Sequence, residues 1–147
     1  MIRPFTFSDL DRIIQIELQA FPKSPYDWGT FIYLHYLYPK TFLVYTLLSL
    51  DQKEDEIVGY IVFTQDGHII SIAVHPQYRR RGIGKGLLRE TMNIPRLKEV
   101  WAEVRRSNQG AQAFYSRMGF QVTGVVQDYY GNEDALIVHW VSVPESD

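Results

Sequence analysis

The hydrophobic positions in the first forty residues predict one short strand and two helices. The first element is predicted as a short strand around residues 2–5. Apolar side chains then recur every three or four positions from Leu10 through residue 20, a spacing that places them on one face of a helix. Pro22 ends this helix, because proline cannot donate the backbone hydrogen bond that a helix interior needs. A second helix is predicted over residues 27–37 and is again followed by a proline.

Beyond residue 40, apolar and β-branched runs bounded by turn residues predict six more strands and two more helices. The predicted strands are 41–50, 57–65, 68–74, 100–105, 120–126 and 137–143, and the predicted helices are 82–93 and 109–118. The acidic segment 51–56 and the dipeptide Asp66-Gly67 are predicted as turns, the second of them in a hairpin. This order indicates an α/β (α+β) fold, with a mixed central sheet of about six to seven strands and helices on both faces.

Composition adds size, redox chemistry and charge to this picture. The 147 residues, 46% of them hydrophobic, are enough for one domain spanning 1–147. The absence of cysteine excludes disulfides, thiolate nucleophiles and cysteine-ligated metals. With 15 basic and 17 acidic residues the net charge is −2, so we expect phosphate recognition to be local and expect no nucleic acid as a direct partner. No apolar run approaches the roughly 20 residues that span a bilayer, and no targeting segment is recognised, so we expect a cytoplasmic protein without a membrane partner.

A basic turn that contains two glycines lies between the predicted strand 68–74 and the predicted helix 82–93. It reads Arg79-Arg80-Arg81-Gly82-Ile83-Gly84-Lys85. The first N–H groups of a helix have no intrahelical partner, and the helix dipole adds partial positive charge there, so a helix start attracts anions. Glycine at 82 and 84 removes Cβ atoms where a phosphate would approach the backbone. The segment predicts a phosphate site, and the alternative is a solvated basic turn at residues 79–81.

Three phosphate-binding patterns can be compared with this turn. The P-loop spacing is absent, and the dinucleotide fingerprint would need glycine at position 87, where Leu87 stands. The pattern that fits is Arg79-x-x-Gly82-x-Gly84, placed between a strand and a helix.

A second segment of interest runs from the strand 100–105 into the helix 109–118. Ser107 is predicted as the N-cap of this helix. Asn108, Ala111, Gln112 and Tyr115 are spaced three and four residues apart, so they share one helix face. A face with two amides, a small residue and a phenol suits an extended polar ligand better than it suits a packed core.

Together these segments resemble the GNAT superfamily of acyl-CoA-dependent N-acetyltransferases, and specifically its ribosomal-protein alanine N-acetyltransferase branch. The resemblance rests on Arg79-x-x-Gly82-x-Gly84, on Ala102-Glu103-Val104-Arg105 followed by Ser107-Asn108, on Tyr115-Ser-Arg-Met-Gly119-Phe120, and on Glu17-x-x-x-Phe21-Pro22. It covers nearly the whole chain, is strongest from 72 to 120 and is weakest from 22 to 56. It implies the GNAT fold, acetyl-CoA as the cofactor and no metal.

The resemblance also implies roles for individual residues. Glu103 would serve the acceptor amine, and Tyr115 would lie at the thiol of the cofactor. The remaining acetyl-CoA contacts would come from Ile72, Ala73, Val74, Arg79, Arg80, Arg81, Gly82, Ile83, Gly84, Lys85, Asn108 and Ala111, with backbone amides of the turn holding most of the phosphate. The acceptor would be bound by Glu17, Phe21, Tyr129 and Tyr130.

The chemistry of acetyl transfer suits the two catalytic candidates. The attacking amine must be neutral, and an α-amine has a reference pKa of about 7.7–8.0 against about 10.4 for lysine. A carboxylate acting through a water can take that proton, and a protonated tyrosine can give one to the leaving thiolate. Structural alternatives are an outward-facing strand residue for Glu103 and a packed core aromatic for Tyr115.

The residues proposed for the acceptor also have structural alternatives. Glu17 lies on or beside the apolar stripe of the first helix, where a carboxylate either reaches solvent at the stripe's edge or contacts the acceptor. Most aromatics between residues 26 and 45 are expected in the core. Asp128 stands where the resembling proteins have asparagine before two tyrosines, so the acceptor preference could differ. His35 and His139 are expected to be packing or surface residues, since no metal-ligand spacing accompanies them.

Three functions follow from these predictions. The first is an acetyl-CoA-dependent N-acetyltransferase acting on the N-terminal α-amine of a ribosomal or other protein or peptide. The second keeps the donor but changes the acceptor to a small-molecule amine or a lysine side chain. The third is a non-catalytic CoA-binding module, which would not need both Glu103 and Tyr115. The sequence does not address the oligomeric state.

Overall fold

The computed structural model describes residues 1–48 and 54–143, and the predicted order of strands and helices is confirmed there. The strands are β1 (Ile2–Pro4), β2 (Phe42–Leu48), β3 (Asp55–Phe63), β4 (Ile69–Val74), β5 (Glu99–Arg105), β6 (Gln121–Val126) and β7 (Ala135–Val141). The α-helices are α1 (Leu10–Ala20), α2 (Trp28–Leu37), α3 (Ile83–Met92) and α4 (Gln109–Arg117). Two short 3₁₀ helices precede α1 and α3, at Phe7–Asp9 and Pro76–Tyr78.

The seven strands form two sheets, a division that the hydrophobic pattern does not reveal. One sheet has the order β1-β2-β3-β4 and the other the order β5-β7-β6. The pairs β1–β2, β2–β3, β5–β7 and β6–β7 are antiparallel. The chain divides into two compact units, the first comprising 1–65 with 70–90 and the second 66–69 with the chain from residue 91 on. Within the described residues, no helix is long and apolar enough to cross a membrane.

In the first unit, helices cover both faces of the four-stranded sheet, as predicted. Tyr60 of β3 is fully buried in a cluster with residues of α1 and α2. Gly59, the neighbouring residue of β3, points to the opposite face. A Cβ atom there would lie 3.2 Å from side-chain atoms of Ile83 and Leu87, so α3 packs on that face. The larger core cluster consists of Phe5, Ile13, Ile16, Phe31, Leu34, Phe42, Val44, Ile57, Tyr60, Val62 and Ala73.

Several predicted boundaries are wrong by a few residues. The acidic turn 51–56 is wrong at its end, because β3 already begins at Asp55. Arg12 stabilises this start by bonding the Glu56 carboxylate at 2.9 Å and the Ile57 carbonyl at 3.0 Å. Residues 49–53 of the predicted strand and turn lie outside the described residues. The last strand is Ala135–Val141 instead of 137–143, because its first residue pairs with Arg105 at the end of β5.

In the second unit, β5 has one buried and one open face. Val100, Ala102 and Val104 are buried, whereas the alternating residues Trp101 and Glu103 are only half-buried. This alternation places Glu103 on the more open face of the strand.

The tight turn at Gly67 places Gly67 and His68 beside Trp101 of β5. Gly67 has φ +102°, and a Cβ atom there would approach the Glu99 carbonyl oxygen to 2.3 Å, so only glycine fits. Its own carbonyl accepts a hydrogen bond from the Trp101 N–H at 3.0 Å. His68, predicted as the first residue of a strand, instead forms an isolated bridge to Trp101 before β4 begins.

Candidate active site

The turn between β4 and α3 has the backbone geometry of an anion site. Gly82 has φ +79°, and a Cβ atom there would have no neighbour within 4 Å, so the space in front of it is open. Its carbonyl accepts the first helical hydrogen bond, from the Gly86 N–H at 2.9 Å. The N–H groups of Ile83, Gly84 and Lys85 therefore belong to the first turn of α3, where helices have no intrahelical acceptor. An anion at this position would be bound by backbone donors and by the helix dipole.

Side chains that the sequence analysis missed brace this turn. Tyr78 donates a hydrogen bond of 2.7 Å to Glu56 at the start of β3, and Arg12 bonds the other Glu56 oxygen at 2.9 Å. The Arg81 guanidinium lies 5.1 Å from the centre of the Tyr78 ring, a cation–π contact. No motif marks Tyr78 or Glu56, because they are 22 residues apart and become neighbours only through folding.

The other residues predicted to contact the cofactor in the first unit occupy β4 and the turn. Ala73 is buried in β4, and Ile72 and Val74 are half-buried. Arg79, Arg80 and Arg81 are exposed, as expected both for a phosphate site and for a solvated turn. Arg80 also adopts φ +65°, a left-handed conformation that few residues other than glycine adopt.

Glu103 lies on β5 with its carboxylate hydrogen-bonded to His68. The Nε2 atom of His68 is 2.7 Å and 3.0 Å from the two carboxylate oxygens. The imidazole stacks on the Trp101 indole, with ring centres 5.3 Å apart and planes 2° apart. Both members of the pair are partly accessible, with 27% of the His68 side chain and 17% of the Glu103 side chain exposed. Glu103 therefore has a fixed partner that the sequence analysis did not assign.

Tyr115 lies in α4 and is 4% exposed. Its ring makes edge contacts with Phe114 and Phe120, with centres 5.3 Å and 5.1 Å apart. Burial raises the pKa of Tyr115, and repulsion from the Glu103 carboxylate, and from Tyr130 once that phenol is ionised, raises it further. The phenol therefore stays protonated at neutral pH and can serve as a proton donor.

Two polar side chains on the face of α4 predicted to bind a ligand are hydrogen-bonded to backbone groups at the start of the helix. The N-cap is Asn108 and not Ser107, because the Asn108 Oδ1 atom accepts the Ala111 N–H at 3.0 Å. Ser107 instead donates its backbone N–H and its hydroxyl to Glu133, at 3.1 Å and 3.0 Å. Gln112 donates to the Arg106 carbonyl at 2.8 Å. The roles of Asn108 and Ala111 toward a cofactor stay predictions.

The loop that carries Tyr129 and Tyr130 is attached to the end of β5. The Arg105 guanidinium lies 4.1 Å from the centre of the Tyr130 ring and bonds Glu133 at 2.9 Å. Tyr129 is 50% exposed; partial burial and the negative charge of Glu103 raise its pKa. The second unit thus holds Glu103, Tyr115, Tyr129 and Tyr130.

Glu17 lies in the first unit and is 2% exposed, so the expectation that it reaches solvent at the edge of the apolar stripe is wrong. The Tyr60 hydroxyl donates to its Oε2 atom, and the Tyr26 N–H donates to Oε1 at 3.1 Å. Burial raises the pKa of Glu17, while these two hydrogen bonds oppose the rise. Phe21 is partly buried against the same core cluster. Contact of either residue with an acceptor stays a prediction.

The aromatic segment 26–45 divides between core and surface. Phe31 and Phe42 are fully buried, but Trp28, Tyr33 and Tyr36 are 63%, 60% and 81% exposed. Five of the eight aromatic side chains in this segment are buried or half-buried, as expected for most of them, and these three are exposed.

His35 and His139 make packing and surface contacts, as expected. His35 packs between the rings of Phe5 and Phe7, and His139 bonds the exposed Glu99 at 2.9 Å. Across residues 1–48 and 54–143, no group of three or more His, Cys, Asp or Glu side chains could hold a metal ion.

Comparison with known proteins agrees with the fold and with the resemblance. The Acetyltransferase (GNAT) family matches residues 10–120. A putative ribosomal protein bS18-alanine N-acetyltransferase of Bacillus subtilis is 31% identical over 149 residues, which cover 98% of this chain and 96% of that protein. An N-alpha-acetyltransferase of Sulfurisphaera tokodaii is 33% identical over 157 residues, which cover 93% of this chain and 90% of that protein.

A solved structure with similar overall architecture is Ard1 from Thermoplasma volcanium. It superposes with a TM-score of 0.83 at 27% identity, and the match covers 97% of both chains. The matched part includes both segments that carried the resemblance, the turn at 79–85 and the strand–helix segment that leads to residue 120. The chain belongs to the Acetyltransferase (GNAT) family.

Proposed function

We propose that this protein is an acetyl-CoA-dependent N-acetyltransferase whose acceptor is the α-amine of a protein or peptide N-terminus. The observation that carries the proposal is one unit that holds both a half-buried carboxylate, Glu103, hydrogen-bonded to His68, and a buried phenol, Tyr115. Relatives named for N-terminal acetylation, which match over almost the whole chain, support the choice of acceptor. The proposal includes a cytoplasmic location, with no direct nucleic-acid or membrane partner.

The turn at residues 79–85 would bind the pyrophosphate of acetyl-CoA. Three observations support the fit: open space at Gly82, the amides of the first turn of α3, and three exposed arginines. Acetyl-CoA would supply the thioester carbonyl that the amine attacks. No metal is included in the proposal, since a thioester is already activated toward an amine.

In the proposed reaction Glu103 would accept, through a water, the proton of the acceptor ammonium. The neutral amine then attacks the thioester carbonyl, the C–N bond forms and the C–S bond breaks. Tyr115 would give its proton to the departing thiolate and recover one from the amine nitrogen through solvent, so that one proton is released per turnover. No covalent enzyme intermediate is needed, in line with the absence of cysteine.

The proposal is tested by release of free CoA from acetyl-CoA with four kinds of acceptor. These are peptides with varied free N-termini, the same peptides blocked at the N-terminus, blocked peptides with an internal lysine, and spermidine. We expect turnover of free N-termini only. Turnover of spermidine or of the blocked lysine peptide in preference to free N-termini would show that the acceptor is a small-molecule amine or a lysine side chain instead. CoA binding without turnover of any amine would show that the protein is a non-catalytic CoA-binding module.

Three variants assign the chemistry. Glu103→Gln and Tyr115→Phe should each lower kcat by about 10²–10⁴-fold, the usual contribution of a general base or acid. Glu99→Gln is the matched control, because Glu99 lies on the same strand and also bonds a histidine, but is exposed. Rates of the two active-site variants equal to that of the control would remove the roles of Glu103 and Tyr115.

A further inference from the structure

His68 is a half-buried residue that is hydrogen-bonded to the proposed base, Glu103. We infer that His68 is a positioning residue for the acceptor reaction, and that only its neutral imidazole leaves the Glu103 carboxylate able to take up the proton of the amine. This inference rests on the proposed function. It concerns a residue that no motif marks, 35 positions before Glu103 in the chain.

The position of the imidazole is fixed from three sides. Its Nε2 atom lies within hydrogen-bond distance of both Glu103 oxygens, at 2.7 Å and 3.0 Å. Its ring stacks on Trp101 with nearly parallel planes. The backbone that carries it is attached to β5 by the hydrogen bond from the Trp101 N–H to Gly67. An ordinary surface ion pair lacks such supports and holds its partners loosely.

The groups around the pair shift the pKa of His68 upward. The hydrogen bond with Glu103 raises the pKa of His68, partial burial opposes this, and the charges of Glu103 and Asp66 add to the rise. The charge of Glu103 also raises the pKa of Tyr115 and of Tyr129, so both remain neutral phenols at neutral pH. Arg105, on the same side of β5, is paired with Glu133 at 2.9 Å.

The two states of His68 have opposite effects on Glu103. A neutral imidazole donates its Nε2–H to the carboxylate, which keeps lone pairs and its negative charge for the incoming proton. An imidazolium forms a close ion pair, and protonation of Glu103 would then leave a half-buried cation without its partner, which is costly. Proton transfer to Glu103 should therefore slow as His68 becomes charged. The proton still passes from the amine to Glu103 and then to solvent, so the overall balance is unchanged.

The first experiment measures the pair without catalysis. The Cε1–H proton signals of the four histidines are followed by NMR against pH, and the variant His68→Gln identifies the signal of His68. We expect His68 to titrate above the ordinary histidine value of about 6.5 and to titrate lower in Glu103→Gln. An identical titration of His68 in the wild type and in Glu103→Gln would show that the two side chains are not coupled and would overturn the inference. His139→Gln is the control, because His139 also bonds a glutamate on the same sheet.

The second experiment measures kcat and KM from pH 5.5 to 9 with saturating acetyl-CoA. Gln at position 68 can donate the same hydrogen bond but cannot become charged, so His68→Gln should retain kcat at pH 8.5 within about threefold and lose less activity toward pH 6 than the wild type. Phe can stack on Trp101 but donates nothing, so His68→Phe should lose about 10–100-fold at pH 8.5, as expected for a lost positioning bond. His139→Gln should keep the wild-type profile.

Three results would overturn the inference: superimposable pH profiles for wild type and His68→Gln, equal rates for the Gln and Phe variants, or a coupled titration with no effect of either variant on kcat. Absence of turnover with every amine would instead overturn the proposed function and this inference with it, and the NMR titration would still show whether the pair exists. The two failures are thus distinguishable.

Discussion

The buried carboxylate of Glu17 leads to a sharp prediction about stability. Tyr60 is fully buried, and its hydroxyl donates to Glu17 and lies 2.8 Å from the Ser71 hydroxyl. Tyr60→Phe removes only that oxygen and keeps the ring in its edge contact with Phe31, at 5.5 Å between centres. The variant therefore tests the polar network without opening a large cavity.

The expected loss of stability follows from the two hydrogen-bond partners of the Tyr60 hydroxyl, Glu17 and Ser71. A hydrogen bond to a charged group contributes about 1.5–3 kcal/mol and a neutral one about 0.5–1.5 kcal/mol. Since neither Tyr60 nor Glu17 is screened by solvent, we expect Tyr60→Phe to lower the free energy of unfolding by about 2–4 kcal/mol. For a chain of this length that corresponds to a fall in Tm of roughly 5–15 °C.

The assay is urea unfolding followed by circular dichroism at pH 7, arranged as a double-mutant cycle with Glu17→Gln. If the carboxylate is the partner, Tyr60→Phe should cost clearly less in the Glu17→Gln background than in the wild type. An equal cost in both backgrounds, or a cost below about 0.5 kcal/mol in the wild type, would refute the reasoning. Glu17→Gln also tests the predicted acceptor role, because a contact with the acceptor would raise KM for the peptide and leave KM for acetyl-CoA unchanged.

Three further predictions concern other parts of the molecule. Gly67→Ala should destabilise the protein and weaken the acceptor reaction together, because its Cβ would lie 2.3 Å from the Glu99 carbonyl oxygen and the turn that carries His68 would have to move; chemical unfolding and kcat of one preparation check this. Tyr78→Phe should weaken CoA binding measured by calorimetry and spare kcat at saturation, because the phenol braces the phosphate turn; unchanged affinity would contradict the bracing role. Burial raises the pKa of Asp9, but the hydrogen bonds from Arg3 and Thr6 and the charge of Arg3 together outweigh burial and lower it. The stability that these contacts contribute should therefore be present above about pH 4 and be lost as pH falls further; Asp9→Asn should remove that part of the acid dependence, and an unaltered acid transition would count against it.

The sequence was sufficient wherever the information is local. Helix and strand order follows from the spacing of apolar residues, and that spacing is set by the geometry of each element alone. The proposed phosphate turn could be predicted from glycines and arginines beside a helix start, because its binding groups would be consecutive amides of one segment. Glu103 and Tyr115 could be proposed as catalytic candidates for a related reason, since the motifs that contain them lie within single segments of the chain.

Burial and pairing were decided by the tertiary structure. Glu17 looked like an edge residue of its helix, but Tyr60, 43 residues away, buries and bonds it. The apolar helix α2 has no polar face to give its orientation, so the exposure of Trp28, Tyr33 and Tyr36 depends on which side meets the sheet.

Glu103, the proposed base, shows most clearly that contacts between distant segments cannot be predicted from the sequence. The sequence by itself placed a carboxylate at position 103 of a predicted strand, in a segment that resembles an acetyltransferase motif. Only the fold decided that an imidazole faces it, because the turn at Gly67 brings a distant segment against Trp101. The strength of a base depends on its neighbours in space, through hydrogen bonds and charge, and those neighbours are not encoded by proximity along the chain.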